Sequence, residues 1–202
     1  MSERPAISIS ALKAGDRAEF ARLVEGYSTS IYRLGLKITG NEQDAEDVLQ
    51  LTFEKVLKNI KGFEERSSLS TWMYRVASNE ALMLLRKHRP TLSLDDDGAD
   101  EDEESVSRPI ELADFSKLPE SELLQDEVSD KLNVAVAKLP IRLRTVFLLR
   151  DVEGLSIRET AKALQITETN VKIRLLRARM NLREQLAQYF SERVRQEVQD
   201  GS

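Results

Sequence analysis

Thr169, Asn170, Ile173, Leu176 and Arg177 fall on one side of a helical wheel, with Lys172, Arg174 and Arg179 on its flanks. Val171, Leu175, Ala178, Leu182 and Leu186 recur at spacings of four, three, four and four on the other side, which gives that helix a packing face. Outward apolar side chains among cations make sense against a major groove. Ile173 and Leu176 would meet thymine methyls while the cations take phosphates or guanine edges. The bland alternative is a solvated basic helix with two stray apolar positions. Covalent chemistry has little material here. The chain has no cysteine and one histidine, His88 in the run RKHR, so neither a zinc site nor a histidine-based catalytic arrangement is expected. No cofactor is expected either, and His88 reads as a solvated helix-end residue.

The elements that must position this face precede it. Ser156 with Glu159 three residues later forms a capping-box pattern, and Ile157, Ala161 and Leu164 repeat at helical spacing up to the turn Gln165-Ile166-Thr167. Thr167 is a second cap that starts the basic helix. Two short helices joined by a tight turn are the outline of a helix-turn-helix reader of duplex DNA.

A second constellation lies upstream. A helix over about 70–88 has Met73, Tyr74, Ala77, Ala81, Leu84 and Leu85 on its core face and Trp72, Arg75, Val76, Asn79, Met83 and Arg86 opposite. The preceding loop, Phe63 to Thr71, offers hydroxyls, Arg66 and an aromatic, which suits holding an unstacked base. Alternatively, Trp72 is an ordinary core tryptophan on a two-sided helix. On the helix before that loop, Ala45, Leu49, Thr52, Phe53, Val56 and Ile60 make a buried face. Asp47, Gln50, Leu51, Glu54 and Lys58 lie opposite, where a solvated face is the default and Leu51 among charges hints at a docking patch.

The rest of the chain sets limits. Its 202 residues, 41% apolar, suffice for two small cores, and extended apolar/polar alternation is missing, so an all-α protein of two helical domains is predicted. Helices are expected from Ile7 to Ala14, from Asp16 to Gly40, from Asn41 to Gly62, from about Ser121 to Lys138, and from there to Val152. The net charge of -5 is unevenly spread: residues 1–90 hold 14 Lys/Arg against 12 Asp/Glu, residues 91–130 hold 2 against 15, and residues 131–202 hold 14 against 8. The acidic block, around Leu94 to Ser105, reads as an extended tether or plain solubilising linker. The domains are therefore placed at 1–90 and 119–190, with a linker at 91–118 and a tail at 191–202. No apolar run approaches a membrane span and the N-terminus lacks a signal-peptide apolar region, so no membrane insertion and a cytoplasmic location are expected.

Three stretches, DAEDVLQLTFEKVLKNI (44–60), LSTWMYRVASN (69–79) and LPIRLRTVFLLRDVEGLSIRETAKAL with VKIRLLRAR (139–164 and 171–179), resemble the bacterial sigma factors of the extracytoplasmic-function type, which keep only the second and fourth sigma domains. The resemblance implies a non-enzymatic promoter-specificity subunit with core RNA polymerase and promoter DNA as partners. It implies that Asp44, Asp47, Gln50, Leu51 and Glu54 dock on the polymerase clamp helices. Phe63, Arg66, Ser67, Thr71, Trp72, Arg75, Asn79 and Arg86 would capture the melted non-template strand of the minus-ten element. Thr169, Asn170, Lys172, Ile173, Leu176 and Arg177 would read the minus-thirty-five element, with Arg174 and Arg179 toward phosphates. An anti-sigma factor sequestering both domains also follows from the resemblance alone, as does a path for the acidic tether toward the RNA exit.

The chain departs from the family pattern at Ile173 (usually serine), Gln165 (commonly glycine, implying a strained turn), Met83 (often acidic) and Leu51 (commonly glutamate). A free-standing helix-turn-helix regulator is the competing expectation. It accounts for the reader but not for Trp72, Asn79 and the loop before them.

Overall fold

The computed structural model describes residues 7–88 and 131–200, with side chains up to Ala187 and at Tyr189. The acidic tether and the first ten residues of the helix expected from Ser121 lie outside them. Every element among the described residues is helical.

Caps set the boundaries of the first module. Helix α1 (Ile9–Ala14) starts where the Ser8 hydroxyl accepts the Ala11 N–H and stops at Gly15, whose φ of 84° is left-handed. Helix α2 (Arg17–Thr39) is capped by Asp16, which accepts from the Ala18 and Glu19 N–H groups, and is closed by left-handed Gly40. Helix α3 (Glu42–Asn59) begins at Asn41, whose side chain accepts the Asp44 N–H. It ends three residues earlier than its apolar pattern suggested, because Ile60–Gly62 tightens into a 3-10 turn. Helix α4 (Leu69–His88) follows the loop, with the Ser68 hydroxyl accepting the Thr71 N–H.

The expected stripe of α2 is buried or half-buried throughout, from Phe20 to Ile38, and the core faces of α3 and α4 behave likewise. Val48, absent from the expected core, is fully buried because α2 and α3 approach closely at Gly35. A Cβ on Gly35 would come within 3.2 Å of the Val48 side chain. His88 is exposed at the end of α4 as expected, yet its Nδ1 lies 3.5 Å from the Asp44 carboxylate.

In the second module, α5 (131–138) leads to Pro140 and α6 (Ile141–Phe147). Where a continuous helix to Val152 was expected, Leu148–Val152 widens into a π-turn before left-handed Gly154. Helix α7 (Ile157–Leu164) carries the full capping box between Ser156 and Glu159. Helix α8 (Glu168–Asp200) is one continuous element, so the segment expected as a separate tail from 191 is helical to Asp200.

The modules are not apart. Helix α7 packs along α4 and α6 touches α2. One apolar cluster runs from Leu23 and Met73 through Leu139, Leu149, Leu155 and Ala163.

Candidate nucleic-acid interface

The turn between α7 and α8 is built as its sequence dictates. Gln165 takes the left-handed conformation, φ 58° and ψ 39°, and its N–H returns to the Ala161 carbonyl. The strain expected from the missing glycine is thus present. The Thr167 hydroxyl accepts the Asn170 N–H at 3.1 Å and opens α8. Val171, Leu175, Ala178 and Leu182 are buried, and Val171 and Leu175 form a small core with Val146 and Ala161. The opposite side therefore faces outward: Thr169, Lys172 and Arg177 are exposed, and Asn170, Ile173, Arg174 and Leu176 half-exposed.

Arg179 is placed differently. Its Nε and Nη2 donate to the two carboxylate oxygens of Asp151 at 2.8 and 2.7 Å, a bidentate pair that raises the guanidinium's pKa from its ordinary value. This group ties α8 to the π-turn. The expectation that it points toward phosphates overlooked Asp151, 28 residues away in sequence and brought alongside by the fold.

On the first module the loop 63–68 and α4 border an open groove of about 500 Å³. Phe63 and Trp72 stack at its base, ring centroids 4.9 Å apart and 24° from parallel. Arg66, Ser67 and Arg75 are at its edge, with Arg66 and Arg75 exposed. Arg66 Nε is 2.6 Å from Glu64. Trp72, placed on the outward face with an ordinary core tryptophan as the alternative, is 8% exposed, as that alternative has it, and Thr71 is 3% exposed. Both lie at the start of α4, where the loop and α7 cover a sector that solvent occupies one turn later. Asn79 is half-exposed, and Arg86 is exposed near the far end of α4. Lys55 and Asn59 also line the groove, which sequence reasoning missed. Their i, i+4 spacing beside the loop was the available signal.

The face of α3 expected to dock is mixed. Gln50 is exposed and hydrogen-bonds Glu54 at 3.1 Å, while Asp47, Leu51 and Glu54 are half-buried. Asp44 does not belong with them: it is buried at the N-terminus of α3 and turned to His88. Leu57, 54% exposed one turn beyond Glu54, extends this side and went unnoticed. Among the described residues no group of His, Asp or Glu side chains is arranged to hold a metal ion, and no helix is long and apolar enough to cross a membrane.

The Sigma-70 region 2 family matches residues 23–91 and the Sigma-70, region 4 family matches residues 129–182, together more than half of the chain. The chain is 34% identical over 178 residues to the ECF RNA polymerase sigma factor SigW of Bacillus subtilis, covering 88% of itself and 94% of that protein. The chain belongs to the extracytoplasmic-function group of the sigma-70 family. The RNA polymerase sigma-H factor of Pseudomonas aeruginosa is also 34% identical, over 83% of this sigma factor and 86% of its own length. The fold is shared with CnrH, solved in complex with the cytosolic domain of CnrY (TM-score 0.61, 20% identity, 89% of this chain and 94% of that one). It is shared too with RpoE from Bartonella quintana, solved with the anti-sigma factor NepR (TM-score 0.60, 23% identity, 84% and 97%). The family is one of transcription initiation factors and not an enzyme class.

Proposed function

We propose that this sigma factor binds core RNA polymerase in the cytoplasm and directs initiation at promoters whose minus-ten strand it captures and whose minus-thirty-five duplex it reads. The groove carries the reading: an aromatic pair at its base with Arg66, Arg75 and Lys55 around it suits a single strand, whose bases stack while its phosphates meet cations. The outward side of α8, with Lys172, Ile173, Leu176 and Arg177, suits a major groove. Each module alone binds weakly, and joining them makes the second contact intramolecular, so both are needed. Chemistry stays with the polymerase.

Gln50, Leu51, Glu54 and the exposed Leu57 are the groups we assign to the polymerase. The two similar folds, one solved with the cytosolic domain of CnrY and the other with the anti-sigma factor NepR, support an anti-sigma partner for this chain as well. Reconstituted transcription tests the core of the proposal. Core enzyme plus this chain is expected to start at discrete promoters, and Arg75→Ala is expected to lower initiation on duplex templates far more than on pre-melted ones. A chain that neither co-elutes with core polymerase nor redirects it overturns the reading.

A further inference from the structure

The cations that line the capture groove, Lys55, Arg66 and Arg75, are not equivalent. Arg75 is exposed at the edge, and no carboxylate among the described residues pairs with it. Arg66 has Glu64 beside it, a pair between side chains 83% and 63% exposed that exchanges readily for a phosphate. Lys55 is different again. Its ammonium donates to Oε1 of Glu80, whose side chain is 7% exposed where α4 packs on α3. Glu80 is a buried charge with no part in the function as proposed so far, and separating it from Lys55 would strand it away from water. Lys55 is therefore held at the groove with its charge already offset. An ammonium still has three N–H bonds, and Glu80 Oε1 takes one. One turn further along α3, the Asn59 side-chain nitrogen donates to the Lys55 carbonyl at 2.8 Å, which fixes the amide and leaves Oδ1 to accept.

We infer that Glu80 is a positioning residue that turns Lys55 from a phosphate cation into a base reader: Lys55 donates to a carbonyl oxygen of the unstacked base in the groove, while Arg75 meets the phosphate. This rests on the function proposed above and deepens it. The reason is range. A phosphate is drawn by net charge, which the Lys55–Glu80 pair has nearly lost, whereas a hydrogen bond acts at contact and needs only the donor. Pinning also removes in advance the rotamer freedom that a lysine stem would otherwise lose on meeting a base. Guanine, cytosine and thymine each carry a carbonyl oxygen and adenine carries none. The captured position is therefore selective against adenine.

Fluorescence anisotropy tests this with the full chain and short single strands of deoxyadenosine, uniform or carrying one central dG, dC or dT, over a series of salt concentrations. The unmodified chain is expected to bind the substituted strands at least about fivefold more tightly than the uniform one. Arg75→Ala is expected to make the salt dependence shallower by about 0.7 in log–log slope, the share of one single-strand phosphate, and to weaken all the strands alike. Glu80→Gln keeps the shape of the side chain and frees the ammonium, so the dependence is expected to steepen by about 0.7 while the base preference shrinks. Replacing both partners, Lys55→Met with Glu80→Met, keeps the net charge and strands no buried ion. The preference should then fall below about twofold at an unchanged slope. A pair that merely ties α3 to α4 would behave otherwise: thermal unfolding would shift, all the strands would weaken alike, and the slope would stay put in both variants. That result, or a preference that survives the double replacement, overturns the inference. Failure of the functional reading looks different: Arg75→Ala leaves every strand bound as before, so no strand occupies the groove and both readings fall.

Discussion

On α8 the cations proposed to meet DNA, Lys172 and Arg177, stand in solvent on a helix whose other side is anchored by Val171, Leu175 and Ala178. On α4 the aromatic group proposed to meet DNA, Trp72, is 8% exposed and already stacked on Phe63. On that proposal α8 separates recognition from stability, one role to each side of a helix. The capture side merges them, since the rings that border the groove also close the core beneath it. The physical reason lies in the targets. A major groove accepts a whole exposed helix, whereas an unstacked base needs a concave site, and concavity is made from groups that other parts of the protein hold in place.

The sharpest break of this contrast is Trp72→Ala. Removing a ring buried to this degree is expected to cost about 3–5 kcal/mol in urea unfolding, with any promoter defect inseparable from the loss of fold. A cost below about 1 kcal/mol would place Trp72 with the exposed reader residues. Arg177→Ala is the counterpart: stability is expected to stay within about 0.5 kcal/mol, while promoter use falls by about 1–3 kcal/mol with relaxed base preference near the contacted position. Transcription from a panel of minus-thirty-five variants reads that directly. Between these lies Arg179. Because it grips Asp151 with two bonds, Arg179→Lys keeps the charge but loses the fork and is expected to lower stability by up to about 1 kcal/mol, leaving the salt slope of DNA binding unchanged. A slope changed by about one phosphate contact would instead return Arg179 to the DNA side.

How far each region was legible follows from the same contrast. Periodicity reports which side of a single helix is buried, so the reader's core residues and the Ser156–Glu159 capping box could be read from sequence, as could the caps at Asp16, Asn41 and Thr167. It cannot report what a neighbouring element covers. Trp72 repeats like an outward residue on α4 and Thr71 reads as part of the loop, and only the loop and α7, folded over that end, bury them. Asp44 lies against His88 and Arg179 is claimed by Asp151, in each case a partner distant in sequence. The π-turn at Leu148–Val152 is invisible for another reason: it alters the hydrogen-bond register of an unbroken helical pattern without any Gly or Pro to mark it.

Two strained residues allow a matched comparison of the regions at small amplitude. Gln165 in the reader's turn and Glu65 in the capture loop both have φ 58°, a conformation that costs a non-glycine residue about 1–2 kcal/mol. Glycine relieves that strain but loses about 0.5–1 kcal/mol to the greater freedom of the unfolded chain. Gln165 is exposed, and its closing bond to Ala161 comes from the backbone, which glycine retains. Gln165→Gly is therefore expected to stabilise the protein by about 0.5–1 kcal/mol in thermal unfolding. Glu65 also pairs with Lys13 at 2.9 Å, tying the loop to α1 through side chains 55% and 32% exposed. Such a pair contributes about 0–1 kcal/mol, so Glu65→Gly should gain less than Gln165→Gly or nothing at all. The reverse order would mean that the capture loop stores more strain than the reader's turn, and that its shape in the free chain is held against a more relaxed alternative.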